Sequence, residues 1–123
     1  MGSQDRNQTE SGVKRMVILP TKKKWFDMIK SGEKTEEYRE LKPYYIVRFL
    51  KALEFPKTEQ ESVMELFRKM EAKKPLTVLF RNGYSKTSPS FMAECYLSVG
   101  KGKEKWGAIQ GCDYFILRIA QIY

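Results

Sequence analysis

The sequence predicts an α+β fold, and two kinds of segment support this prediction. The first is a set of short apolar or alternating runs, which are typical of β-strands. They cover residues 16–19, 76–80, 91–99 and 114–122. The second is a set of segments whose apolar residues recur at three- and four-residue intervals, as on one face of an α-helix.

The chain has 123 residues, a length that fits one domain. Residues 1–13 are polar and lack apolar periodicity, so we expect a flexible leader that takes no part in the fold. The remaining residues, 14–123, are predicted to form a single domain.

The first predicted helix follows an apolar strand that stops at Pro20 and that we expect to be buried on both faces, inside the sheet. Thr21 is its predicted N-cap. Trp25, Met28 and Ile29 have helical spacing, and Gly32 is placed to end the helix in a left-handed conformation.

Charge is the strongest feature of the composition. Lys and Arg number 23 against 15 Asp and Glu, which gives a net charge of +8. Such a field favours polyanions, although it also serves solubility. Lys22, Lys23 and Lys24 oppose the dipole of the first helical turn, which either indicates a bound phosphate or leaves three lysines extended into water.

Several functions are excluded by residues that the sequence lacks. Without histidine there is no Ser or Cys triad and no histidine-bound metal, so we predict neither metal nor cofactor. Cys95 and Cys112 form no CxxC pair and are expected to be core residues of a reduced, cytoplasmic protein. No apolar run is long enough to cross a membrane.

The charged stretch between Gly32 and Arg39 is the principal candidate site. Alternation along a strand places Glu37 and Arg39 on one face and Tyr38 on the other. If Lys34 belongs to the preceding turn, it reaches the same carboxylate, which then stays ionised between two cations. This arrangement is suited to binding an anionic or polar ligand. Alternatively, it is an internal ion pair that stabilises the junction of helix and strand.

Gly32, Lys34, Glu37 and Arg39 reproduce the GxKxxExR signature of ASCH domains, a family related to the PUA fold, which the sequence therefore resembles. The likeness extends from the strand before the first helix to Trp106-Gly107 and the last strand. It implies a small, mostly antiparallel β-barrel of five or six strands, with a helix before the signature. It also implies a cleft lined by the signature residues that accepts RNA or a nucleoside.

Some small members of the wider family resemble amidohydrolases that remove the acetyl group from N4-acetylcytidine. Lys34 matches their lysine, but Glu37 occupies the position of their threonine, and no later glutamate can be matched to their distant one. A hydrolase of this kind would use Lys34 as nucleophile or base, Glu37 as proton shuttle and Arg39 to stabilise an oxyanion.

Residues 45–73 are predicted to form a two-helix insertion between strands. The first helix has apolar residues at helical spacing from Tyr45 to Leu53. The second begins at the capping box of residues 58–61.

Two later segments carry candidate ligand contacts. The polar loop after Phe80 offers Arg81 and Lys86 for phosphates and Tyr84 for stacking, but it equally fits an ordinary exposed loop. Trp106 lies among lysines, where it either stacks on a base or closes the end of the barrel. Cys95 falls on the apolar side of an alternating strand and is therefore predicted to be core rather than nucleophile.

Three functional classes follow from these observations. The first is binding of RNA or a modified nucleoside by a monomer, through a basic cleft lined by Lys34, Glu37 and Arg39. The second is hydrolysis of a nucleoside or RNA through Lys34. The third is an accessory domain that recruits a protein partner.

Overall fold

The computed structural model describes residues 16–53, 65 and 75–123, and these residues form an α+β fold. The elements occur in the order β1 (Met16–Thr21), α1 (Lys23–Ser31), β2 (Glu36–Glu40), α2 (Pro43–Ala52), β3 (Pro75–Asn82), β4 (Ser90–Lys101), a 3-10 turn (Glu104–Trp106) and β5 (Asp113–Ile122). The predicted α+β class is thereby confirmed.

The strands form one five-stranded mixed sheet in the order β1-β3-β4-β5-β2. β1 runs parallel to β3, whereas the β3–β4, β4–β5 and β5–β2 pairs are antiparallel. The expected barrel takes the form of a half-barrel with β1 and β2 at its two edges. The Arg39 side chain connects these edges, since its Nη2 donates to the carbonyl of Pro20 at 3.0 Å.

The core lies between the inner face of the sheet and the two helices. Phe26 of α1 packs on Phe91 of β4, with ring centroids 5.0 Å apart. Phe49 of α2 meets Phe115 of β5 edge to face, also at 5.0 Å. Burying these aromatic rings contributes to the hydrophobic stabilisation and holds both helices against the sheet.

Strand β1 differs from its prediction, because it lies at an edge of the sheet rather than inside it. Its burial alternates, with Val17 and Leu19 buried and Ile18 40 % exposed. The continuous apolar run was therefore a poor indicator of position, because the face of β1 that carries Ile18 is partly open to solvent.

Helix α1 ends as predicted but begins differently. Gly32 adopts φ 88° and its N–H donates to the carbonyl of Ile29, as expected for a left-handed cap. The N-cap position belongs to Lys22, not to Thr21, and no side chain caps it. Thr21 is instead the buried last residue of β1, where its hydroxyl donates to the carbonyl of Leu19 at 2.8 Å.

The first helix of the predicted insertion is present as α2, which begins at Pro43, two residues earlier than expected. Proline suits this position because it needs no partner for a backbone N–H. The second predicted helix, apart from Glu65, and the leader of residues 1–13 lie outside the described residues. Within the described ranges, neither helix is long and apolar enough to cross a membrane.

Candidate functional site

A cleft of about 1030 Å³ opens where the ends of β1 and β3 meet β2 and the loop before β5. Three charged side chains, Lys34, Glu37 and Arg39, lie along it, and we call them the ion triad. The remaining lining is rich in aromatic rings, contributed by Trp25, Tyr38, Tyr45, Tyr84, Trp106 and Tyr114. Concave sites of this size and mixture are typical of ligand pockets.

The local sequence brings the triad together. Glu37 and Arg39 share one face of β2, as alternation predicts, and they pair in register with the fully buried Leu117 and Phe115 of β5. Lys34 precedes the strand, and its backbone N–H donates to the carbonyl of Met28 at 2.9 Å. This turn sends the Lys34 side chain to the same face, which confirms the predicted arrangement.

Glu37 is held between the two cations. Its Oε1 lies 2.7 Å from Lys34 Nζ, and its Oε2 accepts from Arg39 Nη2 at 2.7 Å and from Nε at 3.1 Å. The side chains of Lys34, Glu37 and Arg39 are 1 %, 6 % and 12 % exposed. Both carboxylate oxygens therefore bind a cation away from water, and the triad has a net charge of +1.

The Lys34 ammonium has polar and aromatic neighbours, including the Tyr38 ring, whose centroid is 5.6 Å away. Besides Glu37, it donates to the carbonyl of Trp106 at 2.9 Å and lies 4.2 Å from the ring centroid of Trp25. Burial lowers the pKa of Lys34, while the nearby Glu37 opposes that shift. The contact with Trp106 joins the signature to a loop 72 residues further along the chain.

Arg39 connects three elements. Its Nη2 donates to Thr21 Oγ1 at 3.1 Å and to the carbonyl of Pro20 at 3.0 Å, while Nη1 donates to the Tyr45 hydroxyl at 3.1 Å. Burial is the largest single influence and would lower its pKa, but the attraction of Glu37 together with the contacts to Tyr45 outweighs burial, so the pKa of Arg39 is raised. The guanidinium therefore stays charged and ties β2 to β1 and α2.

Tyr38 projects from the other face of β2, as predicted, yet it still borders the cleft. Its hydroxyl donates to Glu36 Oε1 at 2.7 Å and accepts the backbone N–H of Lys103 at 2.9 Å. Burial, followed by the hydrogen bond to Glu36, raises the pKa of Tyr38. Tyr38 thus anchors the loop that brings Trp106 to the cleft.

The three lysines around the start of α1 occupy different environments. Lys22 and Lys23 border the cleft, and Lys23 also pairs with Asp27 at 2.6 Å. Lys24 lies outside the lining, with its ammonium 4.6 Å from the ring centroid of Trp25. Of the three, Lys22 is the exposed lysine that borders the cleft without an ion pair among the described residues.

The residues predicted to contact a ligand from the segment after Phe80 also differ in whether they line the cleft. Neither Arg81 nor Lys86 belongs to the cleft lining. Arg81 is half-buried, and its Nε has no hydrogen-bond partner among the described residues. The lining instead receives Asn82, Gly83 and Tyr84, and the Tyr84 side chain is 88 % exposed.

Trp106 does not present an exposed indole. It is only 6 % exposed, and Lys103 and Lys105 place their ammonium groups 4.7 and 4.8 Å from its ring centroid. The expectation of an open stacking platform at this position is therefore wrong. The ring is buried, while the backbone carbonyl of Trp106 accepts a hydrogen bond from Lys34.

The two cysteines have different surroundings. Cys95 is fully buried, as predicted, and burial raises the pKa of its thiol to about 12, so it is no nucleophile at neutral pH. Cys112 is exposed at the cleft, so the expectation that both are core residues is wrong for this one. It lies between Gly111 and the start of β5, outside any strand or helix.

Several cleft residues escaped the sequence-based prediction, among them Thr21, Trp25, Tyr45 and Asn82. Trp25 and Tyr45 carry ordinary helical spacing, which favours an assignment to the core. Asn82 belongs to an Asn-Gly pair, which predicts a turn. This interpretation explains the asparagine without assigning a role to its carboxamide. Thr21 follows Pro20 at the end of a strand, a position where polar side chains often reach a site.

Fold and site together define a small α+β protein whose half-barrel sheet carries a buried ion triad in an aromatic cleft. Among the described residues, no group of three or more Cys, Asp or Glu side chains is placed to hold a metal ion. Comparisons with protein-family models, with curated proteins and with solved structures gave no match for this chain.

Proposed function

We propose that this chain is an ASCH-like, PUA-related protein that binds RNA or a modified nucleoside in the cleft. The observation that supports this proposal best is the buried ion triad along an aromatic-lined cavity. Burying three charges is expensive, and apolar side chains of similar volume often stabilise a protein equally well. A triad that faces a cleft, rather than the middle of the core, therefore favours recognition of a ligand.

The aromatic lining supports a ligand with planar rings. Trp25, Tyr38, Tyr45 and Tyr114 are each only partly buried, so their faces or edges remain accessible from the cleft. Aromatic side chains are the usual partners of unstacked bases, because every base has a π-face.

The charge of the cleft supports a nucleoside more than a phosphate chain as the group bound deepest. The lining contains the cations Lys22, Lys23, Lys34 and Arg39 and the anions Glu37, Glu40 and Asp113, which sum to 4 − 3 = +1. The whole chain carries +8. A base therefore fits the interior, while phosphates of an RNA would meet Lys22 and the basic outer surface.

Arg39 is the member of the triad that a ligand reaches most easily, because its side chain is the most exposed of the three. A planar guanidinium that is already oriented by Glu37 and Thr21 is suited to a carbonyl oxygen of a base. Lys34 and Glu37 then act as the support that keeps Arg39 in place.

The geometry favours binding over catalysis by lysine. A nucleophilic lysine needs a neutral, accessible amine. Although burial lowers the pKa of Lys34, its ammonium is 1 % exposed and directed to Glu37, the Trp106 carbonyl and the Trp25 ring. The contact with Glu37 favours the charged form, and burial keeps the amine out of reach of a ligand.

Isothermal titration calorimetry against the four ribonucleosides, N4-acetylcytidine and a short single-stranded RNA tests the proposal, with chromatography of the mixtures to detect conversion. We expect at least one ligand to bind without being converted. Arg39→Lys keeps the positive charge but loses the planar guanidinium with its several hydrogen-bond donors. The affinity for the ligand should therefore fall at least about tenfold. Lys86→Ala, outside the lining, is the control and should leave the affinity for nucleosides unchanged.

Two outcomes would contradict binding as the function. If no nucleoside or RNA binds to the wild-type protein, recruitment of a protein partner becomes the better hypothesis. If N4-acetylcytidine is converted and Lys34→Ala abolishes the conversion, the protein is a hydrolase.

A further inference from the structure

We infer that Asn82 and Tyr84 form a base-recognition subsite at one end of the cleft, in which Tyr84 stacks on a heterocyclic ring and Asn82 binds its edge. This inference rests on the proposed function and narrows the ligand to a planar ring that carries a hydrogen-bond donor beside an acceptor. It concerns the β3–β4 turn, which the ion triad does not touch directly.

The position of Asn82 follows from the parallel pairing of β1 with β3. Asn82 is the register partner of Thr21, and strand neighbours lie about 4.8 Å apart with their side chains on the same face. Thr21 Oγ1 accepts from Arg39 Nη2 at 3.1 Å. Asn82 therefore lies one strand away from the guanidinium, and both residues border the cleft.

The carboxamide of Asn82 is available to a ligand. Its backbone N–H is used, since it donates to the carbonyl of Pro89 at 2.8 Å and closes the loop. None of the hydrogen bonds recorded among the described residues uses its side chain, which is half-buried. A partly buried amide with a free donor and a free acceptor is more stable when a bound group satisfies both.

Tyr84 lies at the mouth of the cleft on a loop that is held internally. Ser85 N–H donates to Ser88 Oγ at 3.2 Å, and Ser88 N–H returns a bond to the Ser85 carbonyl at 3.0 Å. Gly83 has φ 117°, and a Cβ there would lie 2.9 Å from Ser88 Oγ, so the turn requires glycine. The loop is thus ordered by its own hydrogen bonds, while the Tyr84 ring remains 88 % exposed.

These two residues complement each other chemically. A tyrosine face stacks on any base, so Tyr84 contributes affinity without selecting among bases. A carboxamide presents N–H and C=O side by side, and it pairs with an edge that offers an acceptor beside a donor. Nucleobases have such edges, whereas phosphate and ribose have no planar ring to stack.

Calorimetric titration of the full chain with adenosine, guanosine, cytidine and uridine, and separately with inorganic phosphate, tests this subsite. Tyr84→Ala should weaken the binding of nucleosides about 5- to 150-fold, the equivalent of losing one base–aromatic stack. Tyr84→Phe keeps the ring and should remain within about twofold of wild type. Because the side chain is exposed, neither change should shift the melting temperature.

Asn82→Asp tests the edge contact, because aspartate keeps the shape of asparagine but can only accept hydrogen bonds. We expect the order of preference among the four nucleosides to change, with the largest loss for the base that accepts from the amide. Phosphate binding should not respond to either tyrosine variant.

The outcomes separate this inference from the proposed function. If wild type binds nucleosides and Tyr84→Ala and Asn82→Asp bind them equally well in the same order, the subsite is wrong and the proposed function stands. If the wild-type protein binds neither nucleosides nor RNA, the subsite and the proposed function are both wrong.

Discussion

Glu37 organises the site at the scale of single residues. Its two oxygens engage Lys34 and Arg39, and these cations in turn contact the Trp106 carbonyl and the Thr21 hydroxyl. One carboxylate thereby positions groups from four separate segments. Because both cations share this single anion, removing Glu37 leaves Lys34 and Arg39 buried without a carboxylate partner.

Replacing Glu37 by Ala should destabilise the fold by about 3–5 kcal/mol, since Lys34 and Arg39 would then be buried without their anion. Urea denaturation monitored by tryptophan fluorescence measures this difference. Glu33→Ala is the matched control, because Glu33 is exposed and its loss should change the free energy of unfolding by less than about 0.5 kcal/mol. Equal effects of the two substitutions would show that the triad is not compensated as described.

Tyr38 gives a pH-dependent prediction. Its hydroxyl bonds Glu36 and the Lys103 N–H, so Tyr38→Phe should cost about 0.5–1.5 kcal/mol at neutral pH. The pKa of Tyr38 is raised in the folded state above the ordinary value of 10.0, so the unfolded chain loses this proton first as the pH rises. The stability that the hydroxyl contributes is complete below about pH 10 and declines above it.

Urea denaturation of wild type and Tyr38→Phe across the alkaline range measures that decline. The difference in free energy of unfolding between the two proteins should shrink above about pH 10. A difference that stays constant or grows with pH would contradict the raised pKa.

At the scale of elements, the loop between β4 and β5 is held against β2 from both faces of that strand. Tyr38 binds the Lys103 N–H on one face, and Lys34 binds the Trp106 carbonyl from the other. The turn at Gly107 has φ 102°, and a Cβ there would lie 3.1 Å from the Trp25 ring. Loop, signature strand and first helix therefore form one wall of the cleft.

Gly102→Ala should disturb this wall. The added Cβ would lie 2.7 Å from two Tyr38 ring carbons and 2.8 Å from Ala108 Cβ, while the Tyr38 hydroxyl is fixed by two hydrogen bonds. We expect destabilisation of about 1–3 kcal/mol, as for overpacking elsewhere, together with weaker nucleoside binding.

Thermal denaturation and calorimetry measure both effects. Gly100→Ala is the control, because its Cβ would make only an ordinary contact of 3.5 Å with Ile116. If the two variants melt and bind alike, the loop is not packed tightly against Tyr38.

At the scale of the whole molecule, positive charge and the cleft are largely separate. The lining sums to +1 and the chain to +8, so most of the excess charge lies outside the cleft or in residues beyond the described ranges. Local recognition and long-range attraction can then be distinguished by their dependence on salt.

Nucleoside affinity should be nearly independent of salt between about 50 and 200 mM, because an uncharged ligand releases no counterions. Affinity for single-stranded RNA should fall with a log–log slope of about 0.7 per phosphate contacted. Calorimetry at several salt concentrations measures both slopes. A steep slope for a nucleoside would place unpaired charges inside the cleft and contradict the compensated triad.

Prediction from sequence succeeded where neighbouring residues decide the outcome. Alternation in β2 put Glu37 and Arg39 on one face, and the left-handed conformation of Gly32 ended α1 where expected. It was wrong where a distant partner intervened. Thr21 caps no helix because it belongs to β1 and binds Arg39, and Trp106 is covered by its own loop.

The sequence by itself determined the α+β class and the strand and helix periodicities, because these depend on spacings of a few residues. It predicted the contact of Lys34 with Glu37 on the condition that Lys34 belongs to the turn, which the structure bears out. Only the tertiary structure decided that β1 lies parallel to β3 at the edge, that Asn82 neighbours Thr21, and that Lys34 meets the Trp106 carbonyl. Such contacts join residues dozens of positions apart. They arise from strand order and register, which the packing of the whole core selects and no local pattern encodes.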